Sequence, residues 1–442
     1  MKVSLPWGDT ALHLDVPDSW QVMYPQPIGK GDRKKKNELS IVKSSLKKPS
    51  DSTPLHKKKL KKKKAVIIVD DNTRPTPAHK FFHLILDELK ASGVLLKDIV
   101  ALPGLGIHTA MTEQQMADKV GAKNLKSITW ENHDAFNPDC NHYFGTTQRG
   151  TPVYLNKHLA DADIIVLVGL IEPHLWAGFG GGLKNILPGV ASAETIGRHH
   201  EIIAEPPYRF NRVGVKPEEN SFRLDLEEIQ GMIEADIFCV NVVLDHNNEI
   251  IESFTGDPVS CHRAGVQYMN DTMGLEMDVK VDGIITNSYP MDFNFKQSMK
   301  CVGNVLPALK PKGTVMGFLR AEHGLDDIPL PEDSKPLWLV KSILRLLGPA
   351  RVMWFLEKVK KGLNVEEKFL IYYSMQLIRE YELYFHVPSL SEEEIEKLGF
   401  FVNYTNPQDV IDQAVKKLPI NARVAVFPQG GATYPLMGNQ VR

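Results

Sequence analysis

The chain has 442 residues, 43% hydrophobic and 24% charged, with a formal net charge of −2; these are the proportions of a soluble globular protein long enough for two domains with separate cores. No apolar run approaches the roughly 18 residues of a membrane span, and the opening MKVSLPWGDTALHLDVP lacks the charged-then-apolar pattern of an export signal, so a cytoplasmic location is expected. Cys140, Cys239, Cys261 and Cys301 lie far apart with no Cys-x-x-Cys pair, which excludes a zinc ribbon or a disulfide framework and makes buried free thiols the expectation for all four.

In chain order, the first 25 residues read as short strands. Residues 30–64 then hold 15 Lys/Arg against 3 Asp/Glu, a local charge of +12 that leaves −14 for the remainder. A run such as KKKLKKKK raises nucleic acid or anionic lipid as a partner. No aromatic residues interleave to stack bases, however, and no RNA-binding or helix-turn-helix signature accompanies the run. A solvated, mobile surface insertion is the expectation, with neither nucleic acid nor membrane as partner.

AVIIVDD follows, a continuous apolar run ending in two carboxylates, then the loop NTRPTP, then AHKFFHLILDELKASG with apolar residues at helical spacing and a terminating Gly. DIVALPGLGIH repeats the strand-to-turn theme and leads to a polar helix from about Thr112; DADIIVLVGL reads as a third buried strand. A second series begins near residue 280 with VDGIITNSYP and GTVMGFL as strands. A helical block follows, and ARVAVFPQGGATYP closes the chain as strand and loop. Strands alternating with helices predict an α/β fold of two domains with mainly parallel sheets, whose ligands gather where strand C-termini open into loops. The expected division is 1–270, a cofactor-binding and catalytic domain carrying the insertion at about 30–64, and 271–442, a C-terminal α/β domain closing over the substrate, with the active site in the interdomain cleft.

The loop GFGGGLKNILPGV, residues 178–190, resembles a phosphate loop only superficially. Leu183 separates Gly182 from Lys184, and Asn185 stands where a magnesium-binding hydroxyl would be needed. The candidates gathered at the first domain's strand ends are Asp70, Asp71, Thr73, Arg74, His108, His174, Lys184, and His199 or His200. Singly, each has an ordinary reading as a cap or a surface residue. Together they place an anion-binding fork, proton-transfer groups and a lysine on one predicted rim, the equipment of an enzyme that handles a small anion. A neutral imidazole there is also able to bind a transition metal.

Five segments in order, DDNTRPTP, GLGIHTAMT, EPHLWAGFGGGLKNILPGVASAETIGRHH, GDPVSCHRAGV and YPMDFNFKQSMK, resemble the nickel-pincer lactate racemase family over residues 67 to about 300. The resemblance implies a covalently attached nickel-pincer nucleotide (nickel pyridinium-3-thioamide-5-thiocarboxylic acid mononucleotide) with Lys184 as its tether and His200 as a nickel ligand; the register of RHH against the family favours His200 over His199. Asp71, Thr73, Gly180, Gly181 and Gly182 fall at cofactor-binding positions. His108 and His174 fall at the positions of the acid/base pair. Arg74, with Gln297 and Lys300 from the second domain, falls at the positions that hold the substrate carboxylate.

The implied activity is a racemase or epimerase of a 2-hydroxy acid that works by hydride removal and return. The implied partners are that small molecule and cofactor-assembly enzymes, with homo-oligomerisation left open. One departure bears on the substrate: Lys296 stands where the family often has Tyr, which suggests a substrate other than lactate, with a second carboxylate or a sugar-acid chain. Two other readings differ in class. One is a metal-dependent hydrolase or isomerase of a small phosphorylated acid, without the pincer cofactor; the other is a non-enzymatic protein that binds nucleic acid or anionic lipid through the basic insertion.

Overall fold

A computed structural model of the chain describes residues 1–29, 37–204, 211–245, 247–325, 328, 330, 336–359 and 365–438. They form two compact units, one of residues 30–272 and one of residues 1–29 with 273–442.

The first unit is built on a six-stranded sheet. Its spatial order is Ile250–Gly256, Asp236–Leu244, Ile164–Leu170, Ala65–Asp70, Ile99–Gly104, Thr129–Trp130. All neighbours pair in parallel except Ile250–Gly256, an antiparallel edge strand. Ala65–Asp70 and Ile164–Leu170 are buried along their whole length, as strands covered on both faces must be, and this explains their unbroken apolar composition. Helix Ala78–Ser92 supplies Phe81, Phe82, Ile85 and Leu89 to the core over Ile67 and Val69. It stops at Gly93, whose φ of 103° is the left-handed conformation that glycine adopts without steric penalty. The polar helix Glu113–Val120 starts at Thr112 through a capping box with Gln115.

Strand order reverses between Ala65–Asp70 and Ile164–Leu170: the chain winds outward from the former through Ile99–Gly104, then returns to the latter and winds the other way. A crevice opens at such a switch point, beyond the strands' carboxyl ends. Register fixes its rim, because Asp70 pairs with Gly104 and Val69 with Val168. The loops beginning at Asp71, Leu105 and Ile171 therefore leave the sheet at one level.

The lysine-rich stretch departs from the expected mobile insertion. Residues 30–36 lie outside the described residues, but Asn37 caps a helix over Glu38–Lys47. Ile41, Val42 and Leu46 from that helix, with Leu55 and Leu60 beyond it, are buried in the core of this unit. Apolar residues spaced among the lysines give the segment something to bury, while Lys58 and Lys63 pair with Asp236 and Asp163 at 2.5 and 2.6 Å. Cys140 also departs from expectation: it is half-buried, whereas Cys239, Cys261 and Cys301 are buried, and all four are free.

The second unit has its own six-stranded parallel sheet, ordered Val402–Asn403, Glu382–His386, Leu309–Phe318, Val281–Asn287, Arg423–Phe427, Gln21–Met23. The first 29 residues thus group with the C-terminal part of the chain rather than with residues 30–270. Gln21 pairs with Arg423, and Val3, Leu5, Leu14 and Trp20 share a core with Ile285, Met316 and Val410. Lys296 and Gln297 lie on the short helix Phe295–Ser298, capped by the Asn294 side chain, and Lys300 opens the next helix, Lys300–Val305. All three follow the carboxyl end of strand Val281–Asn287.

Candidate active site

The loop after Ala65–Asp70 is held from below by Lys119, an exception to the rule that lysine stays at the surface. Its amine lies 2.6 Å from Asp70 Oδ1 and donates to the carbonyls of Asp71 and Arg74 at 2.9 and 3.0 Å. Asp71 Oδ1 accepts from the backbone N–H and the hydroxyl of Thr73, at 3.1 and 2.6 Å. Asp71 Oδ2 lies 2.6 Å from His108 Nδ1. Burial alone raises the Asp71 carboxyl, but the His108 hydrogen bond and charge, Thr73 and Arg74 outweigh it and hold it at about 2. An ionised carboxylate only accepts, so the His108 Nδ1 carries a proton and its Nε2 presents a lone pair when the ring is neutral.

His174 is set the other way. It lies in a two-residue strand, Pro173–His174, paired antiparallel with Gly178–Phe179. Its Nδ1 accepts from the backbone N–H groups of Trp176 and Ala177, each at 3.3 Å. The proton of the neutral ring then sits on Nε2. In their neutral forms one imidazole presents a lone pair at Nε2 and the other an N–H.

Arg74 Nη1 lies 2.6 Å from Glu172 Oε1, and Glu172 is buried. Although burial works against the guanidinium charge, Glu172, Asp71 and Asp70 together more than restore it. The Glu172 carbonyl also accepts from Gly180 N–H at 2.8 Å, so one residue ties the arginine to the glycine loop.

Each of the three consecutive glycines has its own anchor. Gly180 accepts from His262 Nε2 at 3.1 Å, the Gly181 carbonyl accepts both terminal nitrogens of Arg223 at 3.2 and 3.3 Å, and Gly182 N–H donates to Asn241 Oδ1 at 3.1 Å. Arg223 is wholly buried and pairs with Glu227 at 2.7 Å. Gly181 and Gly182 have φ of 77° and 62°, and a Cβ on Gly181 would stand 2.8 Å from Asn241 Oδ1 and 3.0 Å from the Leu170 carbonyl. The loop is therefore pinned on its protein side.

Lys184 follows on the same turn and is half-buried. Among the described residues its amine makes no hydrogen bond or ion pair. Desolvation first, then the charge of Arg74, bring it down to about 7 despite the opposing pull of Glu172 and Asp71. Near neutrality a large fraction of this amine is an uncharged nucleophile.

Helix Ala193–His200, capped by Ser192, carries both expected histidines. His200 Nδ1 donates to the Ile196 carbonyl at 2.7 Å, and its ring stands edge-on to Trp176 at 5.0 Å between centroids. Burial and neighbouring His199 push it down to about 3, so it is a neutral imidazole whose only open nitrogen is Nε2. A backbone carbonyl behind Nδ1 is the support that fixes a metal-binding histidine. His199 donates to Asp225 at 2.7 Å, packs 4.0 Å from the Phe222 ring centroid, and its enclosed Nε2 has no hydrogen-bond partner. His199 is 0% exposed and His200 8%; the latter is the one a ligand can reach.

The first unit thus brings Asp71, Thr73, Arg74, His108, His174, Gly180, Gly181, Gly182, Lys184 and His200 to the loops and helix at one strand switch. Gln297, Lys300 and Lys296 belong to the second unit, in the same relation to its own sheet. Sequence reasoning missed Lys119, Glu172, Arg223, Asp225, Asn241 and His262 as supports. Glu172 and His262 sit inside the family segments; the others had no local signal.

Residues 7–210 match the model of the lactate racemase N-terminal domain. A lactate racemase of Thermoanaerobacterium thermosaccharolyticum is 31% identical over 320 residues, covering 71% of this chain and 73% of the relative. One from Lactiplantibacillus plantarum is 30% identical over 297 residues, 66% and 68% of the two chains. The structure of the lactate racemase apoprotein from T. thermosaccharolyticum matches with a TM-score of 0.81 at 25% identity, covering 98% of this chain and all 100% of that one. A crystal structure of a Thermotoga maritima protein matches in fold, with a TM-score of 0.60 at 17% identity over 90% and 98% of the two chains. The six-stranded switch-point sheet, the pinned glycine loop with its lysine and these likenesses agree: the chain belongs to the lactate racemase family.

Proposed function

We propose that the protein interconverts the enantiomers or epimers of a 2-hydroxy acid, using a nickel-pincer nucleotide tethered to Lys184. Two histidines, His108 and His174, on loops at one strand switch carry this reading, because a racemase needs an acid/base group for the hydroxyl of each enantiomer.

The residues fit the tethered group. A lysine amine brought down to about 7 by burial and Arg74 can acylate near neutral pH. His200 offers a neutral Nε2 to a borderline-soft metal, and Gly181 and Gly182 let the loop that carries Lys184 lie tight against Asn241 and Arg223, where a Cβ would clash. Among the described residues no three His, Cys, Asp or Glu side chains gather as a metal cage, so nothing in the donor set favours the alternative of a protein-only metal site. When bound, the cofactor supplies an electrophilic carbon that accepts hydride from Cα reversibly.

The protein's own groups do the rest. Arg74, steadied by Glu172, holds the substrate carboxylate in a charge-assisted pair. His108 Nε2 takes the hydroxyl proton of one enantiomer as hydride leaves Cα, giving a planar keto acid. With its ring charged, His174 Nε2–H would give a proton to the keto oxygen when hydride comes back on the other face, leaving the ring neutral. For the opposite enantiomer that neutral ring would act as base through Nε2, which requires its remaining proton on Nδ1 and release of the Trp176 and Ala177 N–H contacts, while protonated His108 acts as acid. At the carboxyl end of a strand in the second unit, Gln297 and Lys300 would offer an amide and an amine to a carboxylate, and Lys296 a further amine to a second carboxylate or a hydroxylated chain.

The test is chiral analysis of enantiopure 2-hydroxy acids and aldonates incubated with cofactor-loaded protein, with intact mass recorded in parallel. Turnover by protein whose Lys184 is unmodified would end this reading.

A further inference from the structure

In the second unit, helices Leu337–Leu347 and Pro349–Val359 present apolar side chains to solvent. On the first, Leu339, Ile343, Leu346 and Leu347 recur at i, i+4, i+7 and i+8, one stripe of a helix, and all four are exposed, Leu346 at 81%. Leu344, on the flank of that stripe, is buried. Its own unit covers that flank and leaves the stripe exposed. The second helix continues the pattern with Trp354, Phe355 and Val359 exposed, and Trp338 of the first helix is 70% exposed. Single exposed apolar residues are ordinary, but eight large ones within 22 residues form a patch, and such patches mark contact with something else.

Charge indicates with what. Residues 336–359 contain Lys341, Arg345, Arg351 and Lys358 against the single carboxylate Glu357. Lys341 and Arg345 both pair with Glu382, at 2.6 and 3.9 Å, and Arg345, Arg351 and Lys358 are exposed. Lys358 Nζ stands 6.0 Å from the Trp354 ring centroid, so cation and apolar ring share a side of the helix. A second copy docked by this face about a two-fold axis would set one predominantly cationic patch against another. An anionic lipid surface satisfies both components. Apolar rings and leucines enter the interface, tryptophan sits at headgroup depth, and lysine and arginine meet the phosphates. Among the described residues no helix is long and apolar enough to cross a membrane, which fits helices that lie along it.

We propose that these two helices dock the protein reversibly on an anionic phospholipid surface. This is a different segment from the lysine-rich stretch at residues 37–64, whose apolar residues are already buried.

The experiment is co-sedimentation of the full-length protein with vesicles of phosphatidylglycerol and phosphatidylcholine, against vesicles of phosphatidylcholine alone. Binding is expected only to the anionic vesicles, weakening as salt rises. The double change Arg351→Glu, Lys358→Glu should weaken partitioning by roughly thirtyfold or more, and Leu346→Ser with Trp354→Ser should abolish it. All four positions are exposed, so thermal melting should stay unchanged. Three results would each overturn the proposal: no sedimentation with anionic vesicles, sedimentation insensitive to both sets of changes, or a solution dimer that Leu346→Arg dissociates in place of any vesicle binding.

Discussion

The Nδ1 of His108 and the Oδ2 of Asp71 stand 2.6 Å apart, and Asp71 is buried while the His108 side chain is 41% exposed. The carboxylate is fixed by the loop and fixes the ring in turn. Asp71→Asn replaces an obligate acceptor with a group that can also donate to Nδ1, which moves the ring proton to Nε2 and removes the base. Because the equilibrium constant is set by the substrates alone, kcat/KM should fall by the same factor in both directions, at least about tenfold, with little change in substrate KM.

The same contact gives a pH dependence. The Asp71 carboxyl lies at about 2 against an ordinary 3.8, so its folded-state value is depressed and the stabilisation is complete above about pH 4. It fades as pH falls toward about 2. Urea unfolding of the native protein and Asp71→Asn should differ by roughly 2 kcal/mol near about pH 5, and by progressively less below about pH 4. A difference that grows on acidification would contradict the assignment.

For Lys184 the expected behaviour is selective acylation. With its amine at about 7, labelling of the cofactor-free protein by an activated ester, read by peptide mass, should reach half-maximal rate near about pH 7, whereas ordinary surface lysines respond near about pH 10.4. Lys184→Arg should yield protein of unmodified mass from a host able to assemble the cofactor. A midpoint near 10 would mean that the amine is fully solvated.

His108→Gln and His174→Gln should each stop interconversion, by about 10²–10⁴-fold for the loss of one acid/base group. In the native protein, substrate recovered from deuterated water should carry no deuterium at Cα, because the hydrogen leaves and returns as hydride. Incorporation during turnover would point to proton abstraction and sink the mechanism.

Gly181→Ala should cost about 1–3 kcal/mol of stability, since alanine there is strained at φ 77° and its methyl meets Asn241 and the Leu170 carbonyl. Gly150→Ala is the comparison: φ is 85° with nothing within 4 Å, so only the backbone strain remains and the loss should be smaller. Arg223→Ala removes the buried donor to Gly181 and the partner of Glu227; about 3–5 kcal/mol is expected by denaturant unfolding.

Local signals in the sequence were enough for the sheet and the rim. Unbroken apolar runs identify Ala65–Asp70 and Ile164–Leu170 as buried strands, the 3.6-residue recurrence in Ala78–Ser92 identifies its helix, and parallel winding sends Asp71, His108 and Lys184 to the same edge. The support beneath that rim was not legible. His262 reaches Gly180 across 82 positions and Arg223 reaches Gly181 across 42, contacts that no period or motif announces. Nor could the sequence show that residues 1–29 join the C-terminal unit, because the pairing of Gln21 with Arg423 spans nearly the whole chain. A lysine-rich composition also concealed the structured helix Glu38–Lys47, whose few apolar positions are outnumbered in any average.

That helix and the residues after it cover the outer edge of the sheet. The strand Ile250–Gly256 ends the sheet, and an uncovered outer strand is a template for other chains. Here Glu38 Oε2 accepts from Ile250 N–H at 2.9 Å, the Ser45 carbonyl accepts from the Thr255 hydroxyl at 2.7 Å, and Ser50 N–H donates to the Thr255 carbonyl at 2.8 Å. Excising residues 33–64 would strip this guard and bare the last strand's backbone, so the truncated chain should aggregate instead of merely losing surface charge.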